Sequence, residues 1–135
     1  MKIKETSVTQ TQIDDISELV LQANKYVGRN PYDVLSVITG KSGVMYQGWE
    51  DPSVGYKIFF QNFFEKIYLK EQVRNFQHIL ITIGVSDSVP LMMTDIGILS
   101  AFVDNLPPEI NAMWDVIKNN EENSLTITVL CTNDV

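Results

Sequence analysis

The sequence predicts an α+β protein, a two-layer sandwich with a βαβαββ core whose helices pack mainly on one face of the sheet. The stretch HILITIGVSDS, residues 78–88, opens with an almost unbroken run of apolar and β-branched residues. Such a run is typical of a central strand that is covered on most sides. Segments with helical spacing of apolar residues alternate with strand-like segments, which indicates strand–helix–strand units with right-handed crossovers.

The composition indicates one globular domain. The chain has 135 residues, of which 44% are hydrophobic and 20% charged, and its net charge is −7. That charge disfavours nonspecific binding to nucleic acid or anionic lipid. The single cysteine suits a reducing compartment, and no apolar run approaches the ~20 residues of a membrane span. We expect a cytoplasmic single domain over 1–135, with an N-terminal segment and helix over 1–29 and the core over 30–132.

The first third of the chain predicts two helices and one strand. Residues 1–11 are polar, and we expect them to form a loose end or an edge segment. Apolar residues recur at helical spacing from Ile13 to Ala23, and Gly28 suits the end of that helix. The segment 30–38 has a helix-capping start, and the glycine-bounded segment 43–49 predicts the first core strand.

The remaining elements follow from capping residues and periodicity. Asp51 and Pro52 predict the start of a helix that runs to Tyr68 and is rich in aromatic residues, so it should contribute most to the core. A further helix begins near Pro90. Its predicted apolar stripe comprises Met92, Ile96, Leu99, Val103 and Leu106, with Asp95, Ser100 and Asp104 facing away. Two alternating runs, 110–117 and 125–131, predict the last strands.

The sequence contains no complete catalytic, cofactor or metal-binding motif. His78 is the only histidine, and an extended strand separates it from Ser88, so they cannot form a Ser–His pair within this segment. Cys131 lies on an apolar strand face, where we expect a buried, inert thiol. We therefore expect no catalytic residue, no cofactor and no metal ion.

Particular segments resemble the C-terminal domain of the FtsZ/tubulin family. The likeness is clearest for HILITIG at 78–84 and LTITVLCT at 125–132, and a weaker likeness reaches back to residue 30. It implies a mixed four-stranded sheet of order 1-4-2-3, whereas local rules alone would pair the last two strands as a hairpin. Residues 1–20 contain no glycine-rich phosphate loop, so we expect a domain without the family's GTPase half.

The resemblance also suggests interface residues. The family has an acidic loop that contacts the next subunit, and here Asn30 and Asp33 occupy that region. Those two residues are either a remnant of this loop or a helix cap with an acidic first turn. Trp49 is a further interface candidate because it lies beside acidic residues, and Met113 and Leu130 are candidates on the second face of the sheet.

The leading functional hypothesis is a noncatalytic protein-interaction or self-assembly domain that binds a protein partner or a second copy of itself. The alternative is a small oligomeric enzyme or ligand-binding protein of chorismate-mutase-like fold, with sites between subunits. Such sites need an arginine to hold a carboxylate, and Arg29 and Arg74 are the only arginines in the sequence.

Overall fold

The computed structural model describes residues 1–8, 42–68, 76–85, 89, 91–118 and 124–133. Over these residues the predicted α+β class is confirmed, with a five-stranded mixed sheet and two α-helices. The strands are β1 (Lys2–Val8), β2 (Ser42–Glu50), β3 (His78–Val85), β4 (Asn111–Lys118) and β5 (Leu125–Asn133), and the helices are α1 (Tyr56–Tyr68) and α2 (Met93–Asp104). The helices predicted between residues 13 and 39 lie outside the described residues.

The strand order is β1-β2-β5-β3-β4, with β3 and β4 parallel and the other neighbours antiparallel. The predicted four-stranded sheet is therefore corrected to a sheet of five strands, in which β1 is added beside β2 and the four predicted strands keep the order 1-4-2-3, as β2-β5-β3-β4. The polar N-terminal segment supplies the additional strand, because an edge strand needs backbone pairing on one side only and Ile3 packs against the core. β5 lies between β2 and β3, so the last two strands do not form a hairpin.

The core lies between the sheet and the two helices. α1 buries one aromatic face, in which Phe59, Phe60 and Phe63 are fully buried, and the facing strand β3 contributes Ile79, Ile81 and Ile83. The Phe64 and Phe102 rings stack with their centroids 4.4 Å apart and join α1 to α2. As predicted, the phenylalanine-rich helix is a large part of the core. Neither described helix is long and apolar enough to cross a bilayer.

The start of α1 differs from the prediction. Asp51 caps a short 3-10 helix, Pro52–Val54, in which the Ser53 backbone N–H donates to Asp51 Oδ1 at 2.9 Å. Gly55 follows with a φ of 81°, a left-handed conformation that glycine adopts readily. This residue ends the 3-10 helix, and α1 therefore begins at Tyr56 rather than at Pro52.

At the start of α2, the predictions for Asp95 and Met92 are wrong. Asp95 was expected to face away but is 6% exposed, because its carboxylate accepts a hydrogen bond of 2.8 Å from the Met92 backbone N–H. Met92 was expected in the apolar stripe but is 57% exposed. Phe102 is buried instead, one helical turn beyond Leu99.

Candidate interaction surfaces

The described ionisable side chains do not form a recognisable reactive centre. Within the described ranges, no three His, Cys, Asp or Glu side chains lie close enough together to hold a metal ion. His78 is the first residue of β3, and its Nδ1 lies 3.5 Å from Asn111 Nδ2. The predicted burial of Cys131 is confirmed, and burial raises the pKa of its thiol to about 12. The thiolate needed for nucleophilic attack is therefore disfavoured at neutral pH.

The structure separates the predicted interface residues into two places. Leu130 and Met113 lie on either side of Leu80 in the sheet, because both are its register partners. Leu130 is 1% exposed, whereas Met113 is partly exposed. Trp49 lies in a different part of the sheet, near the C-terminal end of β2. It is directly opposite Lys2 of β1 and is partly exposed. Asn30, Asp33 and both arginines lie outside the described residues.

The outer edge of β1 is the first candidate surface. β1 is seven residues long and occupies one end of the strand order, paired with β2 along its whole length. No described strand pairs with its other edge. In an antiparallel pair, successive residues direct their N–H and C=O groups alternately toward the partner strand and away from it. The outward groups of β1 are therefore positioned to bind another strand.

Charged side chains alternate across the two faces of β1. Ile3 and Glu5 lie opposite Gly48 and Tyr46 on the face that carries the helices. Lys2 and Lys4 project from the other face, since successive residues of a strand alternate. Lys2, Lys4 and Glu5 are exposed. The edge thus presents two cations on one face and one carboxylate on the other.

Lys2, the first residue of β1, contacts the Trp49 ring of β2. Its Nζ lies 5.6 Å from the centroid of the Trp49 ring. A cation over a tryptophan face is attracted by the ring quadrupole. The contact places the candidate residue Trp49 on the strand next to β1, on the side of β1 away from the edge that no described strand covers.

A groove between α1 and α2 is the second candidate surface. It is open to solvent and has a volume of about 370 Å³, and its lining residues are Gln61, Phe64, Glu65, Ile98, Ala101, Phe102 and Asn105. The stacked rings of Phe64 and Phe102 are only 4% and 6% exposed. A partner in this groove would therefore cover little aromatic surface that is not already buried.

Local sequence patterns indicate neither surface, although residues 1–11 were expected to form a loose end or an edge segment. KIKETSV carries only a weak strand signal, the polar–apolar–polar pattern of its first three residues. The groove depends on the stacking of Phe64 on Phe102, which are far apart in the sequence. No protein-family model matches the chain, and no curated protein matches it.

Proposed function

We propose that this chain is a noncatalytic protein-interaction domain that binds an extended segment of a protein partner along the outer edge of β1. The observation that carries the proposal is the seven-residue edge, paired with β2 on one side and open on the other within the described part of the chain. Strand addition uses backbone hydrogen bonds for affinity and alternate side chains for specificity.

The β1 edge supports this function better than the other candidate surfaces do. The groove between α1 and α2 leaves little of Phe64 and Phe102 to cover, and Leu130 on the second face is 1% exposed. By contrast, Lys2, Lys4, Glu5 and Ser7 are all exposed along β1. Added strands at this edge need no rearrangement of the described core.

The likeness to the C-terminal domain of the FtsZ/tubulin family remains part of the proposal as a hypothesis about ancestry. The observation that supports it is the order of the described strands and α-helices between Ser42 and Asn133, which is strand, helix, strand, helix, strand, strand. β1 is not part of that likeness. The proposed binding mode therefore rests on β1 alone and does not depend on the family.

A proline scan with a display library tests the proposed function. Lys4→Pro and Glu5→Pro are made separately, because neighbouring residues direct their N–H groups to opposite edges of β1. One proline removes an outward N–H and leaves the β1–β2 pairing intact, whereas the other removes a hydrogen bond to β2. Urea unfolding identifies the variant that keeps its stability, and each variant is then compared with the original chain for binding to random seven-residue peptides.

The original chain should enrich peptides that the stable proline variant does not bind. Ala101→Glu, which changes the groove between α1 and α2, is the matched control and should leave the enrichment unchanged. Absence of enriched peptides, or equal binding by the stable proline variant, would contradict the proposal.

A further inference from the structure

We infer that the segment bound at β1 is not a second copy of β1 but a different strand of complementary charge, acidic opposite Lys2 and Lys4 and basic opposite Glu5. This inference rests on the proposed function and specifies the partner of the same edge. It follows from the charges of β1 together with the symmetry that a pair of identical edges must obey.

Symmetry restricts how two copies of β1 could pair. Two identical edges that pair antiparallel are related by a two-fold axis perpendicular to the sheet. The helices of the two copies then lie on the same side of the joined sheet. Residues that are directly opposite each other across the two β1 strands therefore lie on the same face of that sheet. A two-fold axis parallel to the strands would instead place each residue beside its own copy, with the two side chains on opposite faces of the sheet. The pleat does not allow this, because neighbouring residues of adjacent strands point to the same face.

Most of the allowed registers oppose like charges. Centring the pair on Lys4 opposes Lys4 to its own copy, and centring it on Glu5 does the same for that carboxylate. Centring it on Ile3 opposes Lys2 to Lys4. Like charges directly opposite one another destabilise a strand pair.

Two registers, centred on Thr6 and on Ser7, avoid these repulsions but lose much of the edge, and the one centred on Ser7 joins only residues 6–8. Centring the pair on Thr6 leaves Lys2 and Ile3 outside the strand pair and joins only residues 4–8. Each copy also carries a net charge of −7, which opposes association of two identical chains. Self-pairing through β1 is therefore disfavoured, in keeping with the way charged edge strands limit edge-to-edge association.

A different strand is free of this symmetry. It can place an acidic residue opposite each lysine, a basic residue opposite Glu5 and an apolar residue opposite Ile3. Each opposite-charge pair across two strands adds to stability. The probe that follows from the register is the capped peptide Thr-Thr-Val-Lys-Glu-Val-Glu, which runs antiparallel to β1 from Val8 to Lys2.

The test compares this charge-matched peptide with a charge-swapped peptide, Thr-Thr-Val-Glu-Lys-Val-Lys. Fluorescence anisotropy with the full chain at low salt measures the affinity of each labelled peptide. The matched peptide should bind at least about tenfold more tightly, because three opposed pairs change sign between the two peptides. In the double variant Lys4→Glu, Glu5→Lys, which keeps the net charge, the preference should reverse.

The outcomes separate this inference from the proposed function. If both peptides bind the original chain equally well and neither binds the stable proline variant, the charge rule is wrong but binding by strand addition is supported. Failure of both peptides, although the library yields binders that depend on β1, would overturn the charge rule as well. A library without any such binder would overturn both proposals.

Light scattering provides an independent test of self-pairing. A monomer supports the inference. A dimer that the stable proline variant abolishes would overturn it, because the β1 edge would then pair with itself.

Discussion

The Lys2 ammonium lies over the Trp49 ring, with Nζ 5.6 Å from the ring centroid. This contact crosses from β1 to β2, where the two residues are directly opposed in the register. It therefore links the candidate interface residue Trp49 to the strand whose other edge is open within the described ranges.

Removing this cation should loosen the start of β1 without unfolding the domain. Lys2→Ala should lower the free energy of unfolding by about 0.5–1 kcal/mol, the usual contribution of an exposed cation–π contact. Quenching of tryptophan fluorescence by the neutral quencher acrylamide, measured in a Trp114→Phe background, should increase because Trp49 becomes more accessible. Lys2→Arg is the matched control, since it keeps a cation over the ring. Equal quenching of the alanine and arginine variants would show that the contact does not shield Trp49.

Gly48 provides a close-packing test of the interface between α1 and the sheet. A Cβ at this position would lie 2.5 Å from Phe63 Cδ2 and 3.1 Å from Ile127 Cγ2. Gly48→Ala should therefore destabilise the fold by about 1–3 kcal/mol, as overpacking usually does.

Gly97→Ala is the matched control for Gly48. Gly97 lies within α2 and is exposed, and an added Cβ would have no atom within 4 Å beyond the neighbouring residues and the backbone of its own helix. The added methyl group should stabilise the helix by up to about 1 kcal/mol. Urea unfolding of both variants checks the pair, and equal effects of the two substitutions would contradict this packing.

Asp95 tests the capping arrangement at the start of α2. Asp95→Ala should cost about 1–2 kcal/mol, because it removes the acceptor for the Met92 backbone N–H and leaves that donor unsatisfied. Asp104→Ala is the control, since Asp104 is an exposed aspartate in the last turn of the same helix. Thermal unfolding of the two variants measures the difference. A change at Asp104 as large as that at Asp95 would argue against a specific capping role.

The pH dependence of stability follows from two buried groups. Burial raises the pKa of Cys131 from 9.0 to about 12, and burial, with the nearby charge of Glu5 as a smaller cause, raises the pKa of Tyr46 from 10.0 to about 12. The folded chain therefore retains protons that the unfolded chain loses above pH 9. The stability contributed by these groups is complete below pH 9 and is lost as the pH rises toward 12.

Urea unfolding at about pH 7 and about pH 10 checks this sign. The free energy of unfolding should be lower at the higher pH. Cys131→Ala should show a smaller decrease between the two values, because only Tyr46 then contributes. A variant with an unchanged decrease would mean that Cys131 does not retain its proton in the fold.

The sequence predicted the elements that depend on strong local patterns. The run from Ile79 to Ile83 is a buried interior strand between β5 and β4, and the aromatic helix forms much of the core. The alternating run from Leu125 is also a strand, as its periodicity indicated.

The features that it left open or missed depend on contacts between distant segments. KIKETSV was left open between a loose end and an edge segment, and it is an edge strand because β2 supplies its backbone partners. Asp95 reads as a surface residue by periodicity, yet its carboxylate is turned toward the Met92 N–H. The edge of β1 that no described strand covers follows from tertiary pairing, so local patterns could not place it.

Amide hydrogen exchange of Lys2–Val8, followed by NMR, tests the central claim most directly. In the free chain, alternate amides of β1 should exchange quickly because they point away from β2, while the amides between them are protected. Adding the charge-matched peptide should slow exchange of the outward amides and leave the groove between α1 and α2 unperturbed. Uniform protection of β1 in the free chain, or a bound peptide that leaves the outward amides unprotected, would contradict an open edge that binds a partner strand.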